Sequence, residues 1–425
     1  MSLNRKHKIR IGRYTAALLL VTTGFLLILD IIQGSEHMLL ILKWWPLIAV
    51  MWGLESIFIL IISKRHSGVS RTTFRLDLKG VSLSVLLSAC VFIVTQQEHY
   101  LQLWNKVSLN LTASSVDFSE QEGEHLTKDE QMIPVTFDSE NIIISNTNGN
   151  IYLHREPIDH IQISTEIWVD QINGPEVEDI FEQSVVEVSE GTTINIETKG
   201  KAYGQSGKRQ PRMNLSVSLP EDRRFNYEVR TMNGNIILED VNAIEDIQLE
   251  SANGKLEIRN VLGNVKGKTL NGGVRITKLS GDADITSNQG NMEATDTTGR
   301  LRLTTQLGNI SAIRVGGDVD MRTKNGNIYV SQPLRNLKAE SLNGNIVAIT
   351  QQVAGDWDIY SAVGIMDLKL PLEGNYKLNG VISFGEIRSS IPAFTIYNKK
   401  IFGTIGEGDY FIHIDGNSDL SVNYY

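Results

Sequence analysis

The sequence predicts an all-β fold, a parallel β-solenoid with two strands and 18 residues per coil, after an N-terminal segment of three transmembrane α-helices. Three observations carry that prediction. Between about Glu228 and Thr350, glycines recur every 18 residues at Gly254, Gly272, Gly290, Gly308, Gly326 and Gly344, and a second series at Gly263, Gly281, Gly299 and Gly317 falls halfway between. Each nine-residue half alternates apolar and polar residues with period two, the mark of a strand with one buried face. Three long apolar runs precede the repeat.

Taken in order, the chain of 425 residues begins with those runs. Segments 14–32 and 39–62 are each long enough to cross a bilayer, and 80–95 is shorter and would span with help from its flanks. No small-residue cleavage site follows the first run, so a removable signal peptide is not expected. Arg5, Lys6, Lys8, Arg10 and Arg13 precede the first run, and Lys64, Arg65, Arg71, Arg75 and Lys79 separate the second from the third. The loop from Gln33 to His37 has no Lys or Arg. The N-terminus and second loop are therefore expected in the cytoplasm and everything after Gln96 outside the cell membrane. Within the second run, Lys43 beside Trp44 and Trp45 reads as a snorkelling interfacial residue. The only carboxylate there, Glu55, is the one candidate for a transport role, which three helices support poorly. The expected organisation is a membrane anchor over 1–95, a polar stalk over 96–132, and the solenoid over 133–425.

In the solenoid, the second and fourth residues after each main glycine are apolar: Leu256 and Ile258, Val274 and Ile276, Met292 and Ala294, Ile310 and Ala312, Ile328 and Val330, Ile346 and Ala348. The other half repeats the pattern with Ala283 and Ile285, Leu301 and Leu303, Val319 and Met321, Leu337 and Ala339. Nine residues hold one short strand and a tight corner, for which glycine and Asn-Gly pairs are suited. Less regular strands are expected from Ile133, with a short acidic helix over Pro175 to Gln183 and a basic loop from Lys199 to Arg212, as first coils and cap. After Thr350 the period loosens, and Gly406 to Tyr425 reads as closing coils.

A meander of hairpins would not need like residues to recur at one spacing, but stacked coils do. Three residues before each main glycine stands a hydroxyl, Thr231, Ser251, Thr269, Ser287, Thr305, Thr323 and Ser341, with inward parity. Asn291, Asn309, Asn327 and Asn345 follow their glycines as an amide ladder. Lys266, Asp284, Arg302, Asp320 and Lys338 alternate in sign from coil to coil, as do Asp282, Arg300 and Asp318, and Glu257, Arg275 and Glu293. A slip by one coil would set like charges side by side. On the main-glycine sheet these outward charges stop after Glu293. Ile313, Tyr329, Val347 and Ile349 take the outward slots that follow, a candidate interaction strip unless a cap covers it.

Composition narrows the function. A formal charge of −9 argues against a nucleic-acid partner, and the single cysteine, Cys90, excludes an intrachain disulfide. The regular stack has no histidine to activate a nucleophile, so no catalytic residue is assigned. No cofactor or metal is expected. Gly316-Gly317-Asp318 approaches a calcium-binding turn, but Arg300 stands at the equivalent position one coil earlier and would repel a cation. Asp284 and Asp320 share a face like paired glycosidase carboxylates, yet with Arg302 between them they fit the charge ladder better.

The run "LSVSLPEDRRFNYEVRTMNGNIILEDV", with "ESANGKLEIRNVLGNVKGKTLNGGVRITKLSGDADI" after it, resembles the bacterial adhesin-like β-solenoid domain family of unknown function, over about residues 133 to 425. Gln289, Leu307 and Arg335 depart from that pattern where Asn or Gly would stand. The stretch "KWWPLIAVMWGLESIFILI" is similar to the transmembrane region of LiaI/LiaF-like envelope-stress proteins of Gram-positive bacteria. These resemblances imply a non-enzymatic, membrane-anchored module outside the cytoplasm, adhesin-like or sensing envelope stress. Its implied partners are the lipid bilayer and a cell-wall polymer or membrane sensor protein. The rival is an enzyme acting on wall polysaccharide, which would need aromatic platforms; the regular coils hold only Tyr329.

Overall fold

The computed structural model describes residues 117–425 continuously, together with 9–11, 21–22, 55 and 74–76. The chain divides into two compact units, Met1–Leu111 and Thr112–Tyr425. In the first, Ile9–Ile11 pairs in parallel with Phe74–Leu76, and Val21, Thr22 and Glu55 are helical. The rest of the three apolar runs, 14–32, 39–62 and 80–95, lies outside the described residues. Among the described residues no helix is long and apolar enough to cross a membrane.

The second unit is a stack of mostly parallel coils with two facing sheets. In one sheet, Phe225–Asn233, Asn242–Asn253, the second half of Leu256–Asn271, Ala283–Gln289, Leu301–Leu307, Val319–Asn325, Leu337–Asn343 and Trp357–Val363 pair in sequence order, all parallel. In the other, Ile236–Glu239, the first half of Leu256–Asn271, Val274–Ser280, Met292–Thr297, Ile310–Val315, Ile328–Pro333, Ile346–Ile349 and Met366–Leu370 do the same. Within the regular repeat each residue pairs with the one 18 positions on, as Leu301 does with Val319 and Ile310 with Ile328. The alternating apolar residues predicted to point inward are buried and fuse into one core.

The hydroxyl series is buried as expected, and each member donates to the carbonyl of the main glycine one coil back. Ser251 reaches Gly234 O at 3.0 Å, Thr269 reaches Gly254 O at 2.9 Å, Thr323 reaches Gly308 O at 3.0 Å and Ser341 reaches Gly326 O at 3.0 Å. The corner carbonyl is thereby satisfied inside the core. The asparagines after the glycines form a different ladder from the one expected. Their Oδ1 atoms accept from the backbone N–H of the next coil, at 2.9 Å from Asn309 to Asn291 and 2.8 Å from Asn327 to Asn309. Amide-to-amide bonds occur instead at the asparagines before the glycines, as from Asn343 to Asn325 at 2.9 Å.

The expected positive φ is found at part of the glycine series only: Gly263, Gly281, Gly290 and Gly308 have φ between 137 and 151°. Gly254, Gly272, Gly326 and Gly344 are not in the left-handed region. They are glycines because a Cβ at any of them would overlap the carbonyl of the main glycine one coil back. A further set of left-handed corners, at non-glycine residues, lies six residues after the main glycines, at Asp240, Asn260, Lys278, Asp296, Arg314 and Gln332, with φ between 52 and 58°. This bend shifts the alternation by one. It brings a third apolar column inward, Val261, Leu279 and Val315, which period-two reading misses. The outward side chains of the bend add a further ladder, in which Arg314 holds Asp296 in a bidentate pair at 2.6 and 2.9 Å. The predicted charge ladders form too: Arg302 lies 3.5 Å from Asp284 and 3.4 Å from Asp320, and Arg300 lies 3.3 Å from Asp282.

Both ends depart from sequence order. Asn141–Asn148 and Ile151–Glu156 form a coil that lies between Phe225–Asn233 with Ile236–Glu239 on one side and Thr193–Lys199 with Arg212–Pro220 on the other. At the far end, Tyr410–Gly416 and Leu420–Tyr424, expected to close the stack, insert between the coil of Trp357–Val363 and that of Tyr376–Ile382. The outermost strands there are antiparallel: Lys400–Ile405 on Tyr376–Ile382, then Phe394–Tyr397. The helix forms over Pro175–Gln183, the residues predicted, burying Val177, Ile180 and Phe181.

Strand pairing begins inside the segment read as a stalk, where Glu124–Thr127 and Gln131–Pro134 pair with His160–Val169. Just before them, Asp117–Phe118 pairs with Arg209–Gln210. Arg209, from the basic loop, is buried and holds Asp170 through Nε and a terminal nitrogen, both at 2.7 Å, with Asp117 at 2.5 Å. Burial opposes ionisation of Asp170. The Arg209 guanidinium, the Glu120 amide and the Tyr203 hydroxyl overcome that penalty and hold its carboxyl well below the usual carboxylate range. Asn148 donates to Ser119 O at 2.9 Å, so the entering chain is fastened to the first coil as well.

Two expectations follow for stability, both measured as thermal or denaturant unfolding of the full-length protein. Leu301→Ala should cost about 2–5 kcal/mol by opening a core cavity, and Gly326→Ala about 3 kcal/mol or more by forcing coils apart. Gly273→Ala, whose Cβ would meet Asn291 O at 3.1 Å, should be tolerated far better. Equal losses at the two glycines would refute the stacking argument.

Arg209→Ala should cost about 3–5 kcal/mol, since it strands a buried carboxylate. Because the folded Asp170 is more acidic than an unfolded aspartate, its contribution is complete above about pH 4 and disappears as the pH falls. The gap in unfolding midpoint between wild type and Asp170→Asn should therefore stay constant from neutral pH to about pH 4 and narrow below it. A gap that stays constant below about pH 4 would show that the carboxylate charge is not what matters.

Candidate functional site

The outer face of the main-glycine sheet is a grid whose columns are set by register. One column runs Glu257, Arg275, Glu293, Ser311, Tyr329, Val347, Asp367; its neighbour runs Arg259, Thr277, Thr295, Ile313, Ser331, Ile349, Lys369. The four strip residues predicted from sequence thus sit together over three consecutive coils. Tyr329 and Val347 are directly paired, while Ile313 and Ile349 flank Ser331. Arg275 and Glu293 pair at 3.2 Å below the strip, and Asp367 and Lys369 end it above. Tyr329 is 38% exposed, and Ile313, Val347 and Ile349 are half-buried.

The strip continues where sequence reading did not look. Ile365 takes the place of the ladder asparagine and its N–H bonds Asn345 Oδ1 at 2.8 Å, which sets it diagonal to Val347. Val363 stands where the preceding asparagine would be, and with Leu342 these corner residues are about half exposed. The signal was present in the sequence as the replacement of Asn by Val and Ile on both sides of Gly364. The whole forms one aliphatic surface that bends around the corner, with a single phenol at its edge. It has the character of a protein-contact surface: a contiguous apolar centre with charges at its rim.

A second cluster, Tyr152, His154, Glu156 and Ser218, lies on the same sheet near the opposite end. His154 Nε2 is 2.8 Å from Glu156 Oε1 and 3.2 Å from Ser218 Oγ. A nucleophile relay needs the hydroxyl and the carboxylate on different ring nitrogens. Here both meet Nε2, while Nδ1 is buried without a hydrogen-bond partner. The arrangement therefore cannot pass a proton from serine to carboxylate. Tyr152 stacks on His154 at 4.6 Å and donates to Glu239 at 2.6 Å; burial, then that bond, pushes its hydroxyl up to about 12. Among the described residues no group of three or more His, Cys, Asp or Glu is placed to hold a metal ion.

No curated protein matches the chain. Among solved structures it is similar to a "putative cell adhesion protein" from Clostridium sporogenes ATCC 15579, at 9% identity and a TM-score of 0.18 over 71% of this chain and 100% of that one. It is also similar to a "putative lipid binding protein" from Parabacteroides distasonis ATCC 8503, at 14% identity and a TM-score of 0.25 over 72% and 99%. A "putative adhesin" from Bacteroides fragilis NCTC 9343 matches at 12% identity and a TM-score of 0.23 over 72% and 99%. Residues 133–334, the N-terminal cap and most of the regular coils, match the family model described as Toastrack DUF4097.

Proposed function

We propose that the chain is a membrane-anchored β-solenoid displayed outside the cytoplasmic membrane, acting without catalysis as a binding module in an adhesin-like or envelope-stress-sensing role. The observation that carries the reading is the aliphatic strip around Tyr329, on a face that is otherwise charged or hydroxylic. A rigid stack holds that strip in one geometry, so binding needs little ordering of the surface. The parallel pairing of Ile9–Ile11 with Phe74–Leu76 supports the topology. It joins the two basic segments that the charge pattern assigns to one side of the membrane, with two apolar runs between them. The Arg209 clamp supports display, because it fixes the incoming chain to the first coils. The partner is a membrane sensor protein or a cell-wall component.

Topology is tested with cysteine in a Cys90→Ser background. At exposed Lys255, cysteine should react with an impermeant maleimide in intact protoplasts, whereas at buried Ser251 it should react only after unfolding. A requirement for lysis at Lys255 would place the solenoid inside the cell. For the strip, a photo-cross-linking residue at Tyr329 should capture a discrete partner in intact cells. Tyr329→Lys should reduce partner recovery at least about tenfold, the loss of one aromatic anchor, and leave the unfolding midpoint nearly unchanged. Undiminished recovery would move the interface elsewhere.

A further inference from the structure

The outer face of the opposite sheet changes character at the C-terminal end of the stack. Through the regular coils its central row is the ladder Lys266, Asp284, Arg302, Asp320, Lys338, Asp358. Past Asp358 the same row continues as His413, Asn379, Phe402 and Thr395. The row on one side brings Phe411 next to Lys377, and the row on the other brings Tyr360, Asp415, Val381, Lys400 and Tyr397. Phe402 is 47% exposed, Phe411 41% and Tyr397 73%. The Phe411 ring lies parallel to that of His413, 13° apart in plane and 6.2 Å between centroids.

A cap needs none of this. The hairpin of Phe394–Tyr397 and Lys400–Ile405 turns through Asn398 and Lys399, both in the left-handed region as a two-residue hairpin requires, and buries Phe394 and Ile401 inward. Pro392 and Lys399 beside the outermost strand suffice to discourage further pairing, yet that strand carries Tyr397 outward and the strands behind it carry Phe402 and Phe411.

We propose that this face is a glycan-binding platform that takes a strand of uncharged, β-linked hexopyranose units. A pyranose ring presents a face of C–H bonds and a rim of hydroxyls. The C–H face suits the electron-rich face of Phe402, Phe411 or Tyr397. The rim needs groups that both donate and accept, which the Asn379 amide and the His413 imidazole supply between the rings. Charge selects among ligands: Lys377 and Lys400 are offset by Asp358 and Asp415 on the same face, so an acidic polymer or an anionic bilayer gains no net attraction. Protein partners reward a contiguous desolvated centre, as at the Tyr329 strip. Here amide, imidazole and charged side chains separate the rings. The two surfaces lie on opposite sheets, and the platform does not depend on the reading of the strip.

The test uses the full-length protein in detergent micelles, titrated calorimetrically with chitohexaose and assayed for depletion on insoluble chitin. Saturable binding to both is expected. Phe402→Ala and Phe411→Ala should each weaken it about tenfold, the scale of one good aromatic stack, with unfolding midpoints unchanged. Phe402→Tyr, which keeps the ring, and Tyr329→Lys, on the other sheet, should bind like wild type. The proposal is overturned if wild type shows no saturable binding, or if the Phe402→Ala/Phe411→Ala double variant binds equally well.

Discussion

The approach of each main glycine to the glycine one coil back governs the rest of this molecule. Nothing larger than hydrogen fits at Gly272 against the Gly254 carbonyl, or at Gly326 against that of Gly308. That contact brings successive corners to the spacing of a parallel sheet. It leaves a carbonyl inside the core, which the hydroxyl three residues before the glycine satisfies. Glycine and hydroxyl are thus one device: the first permits the approach and the second removes its polar penalty. With the corners held, both strands of every coil fall into register, and the outward charges land beside opposite charges without long-range design.

A stack held this way has open ends, and the two are closed differently. At the N-terminal end the chain returns, so that residues 193–220 lie outside the first coil, with a helix and antiparallel strands beyond. A buried Arg209–Asp170 pair fastens the entering segment to that cap. Buried ion pairs are weak sources of net stability but strict about geometry, because either partner alone is costly. At the C-terminal end the last coil in sequence is not the last in space, and an antiparallel hairpin ends the sheet. Neither closure leaves a long parallel edge available for another chain.

Because the inward and corner positions are committed to stacking, the outward positions are free to carry function, and they differ by face. Alternating charge runs along one sheet through the regular coils and along the other as far as Glu293. Near the C-terminal end one sheet turns aliphatic around Tyr329 and the other turns aromatic and amide-rich around Phe402. A contiguous apolar surface and a set of rings separated by hydrogen-bonding groups suit different ligands. A single rigid scaffold can therefore present both without either distorting the other.

The repeat was fully legible in the residues, because an 18-residue period in glycine, hydroxyl and apolar positions has one economical three-dimensional meaning. So were the sign-alternating ladders, the helix at Pro175–Gln183 and the strip of Ile313, Tyr329, Val347 and Ile349, all of which follow from spacing alone. Register told where those residues stand, but not what the corners require. Besides glycines such as Gly290 and Gly308, the positive-φ residues include Asp296, Arg314 and their equivalents, which sequence reading did not single out, since a bend that interrupts alternation leaves no periodic trace of its own. The insertion of residues 410–424 between earlier coils, the Arg209 clamp and the joining of Phe402, Asn379 and His413 into one row arose only in three dimensions. Each joins segments tens of residues apart with no shared period, and pairing between such segments is decided by which surfaces remain unsatisfied once the regular coils have stacked.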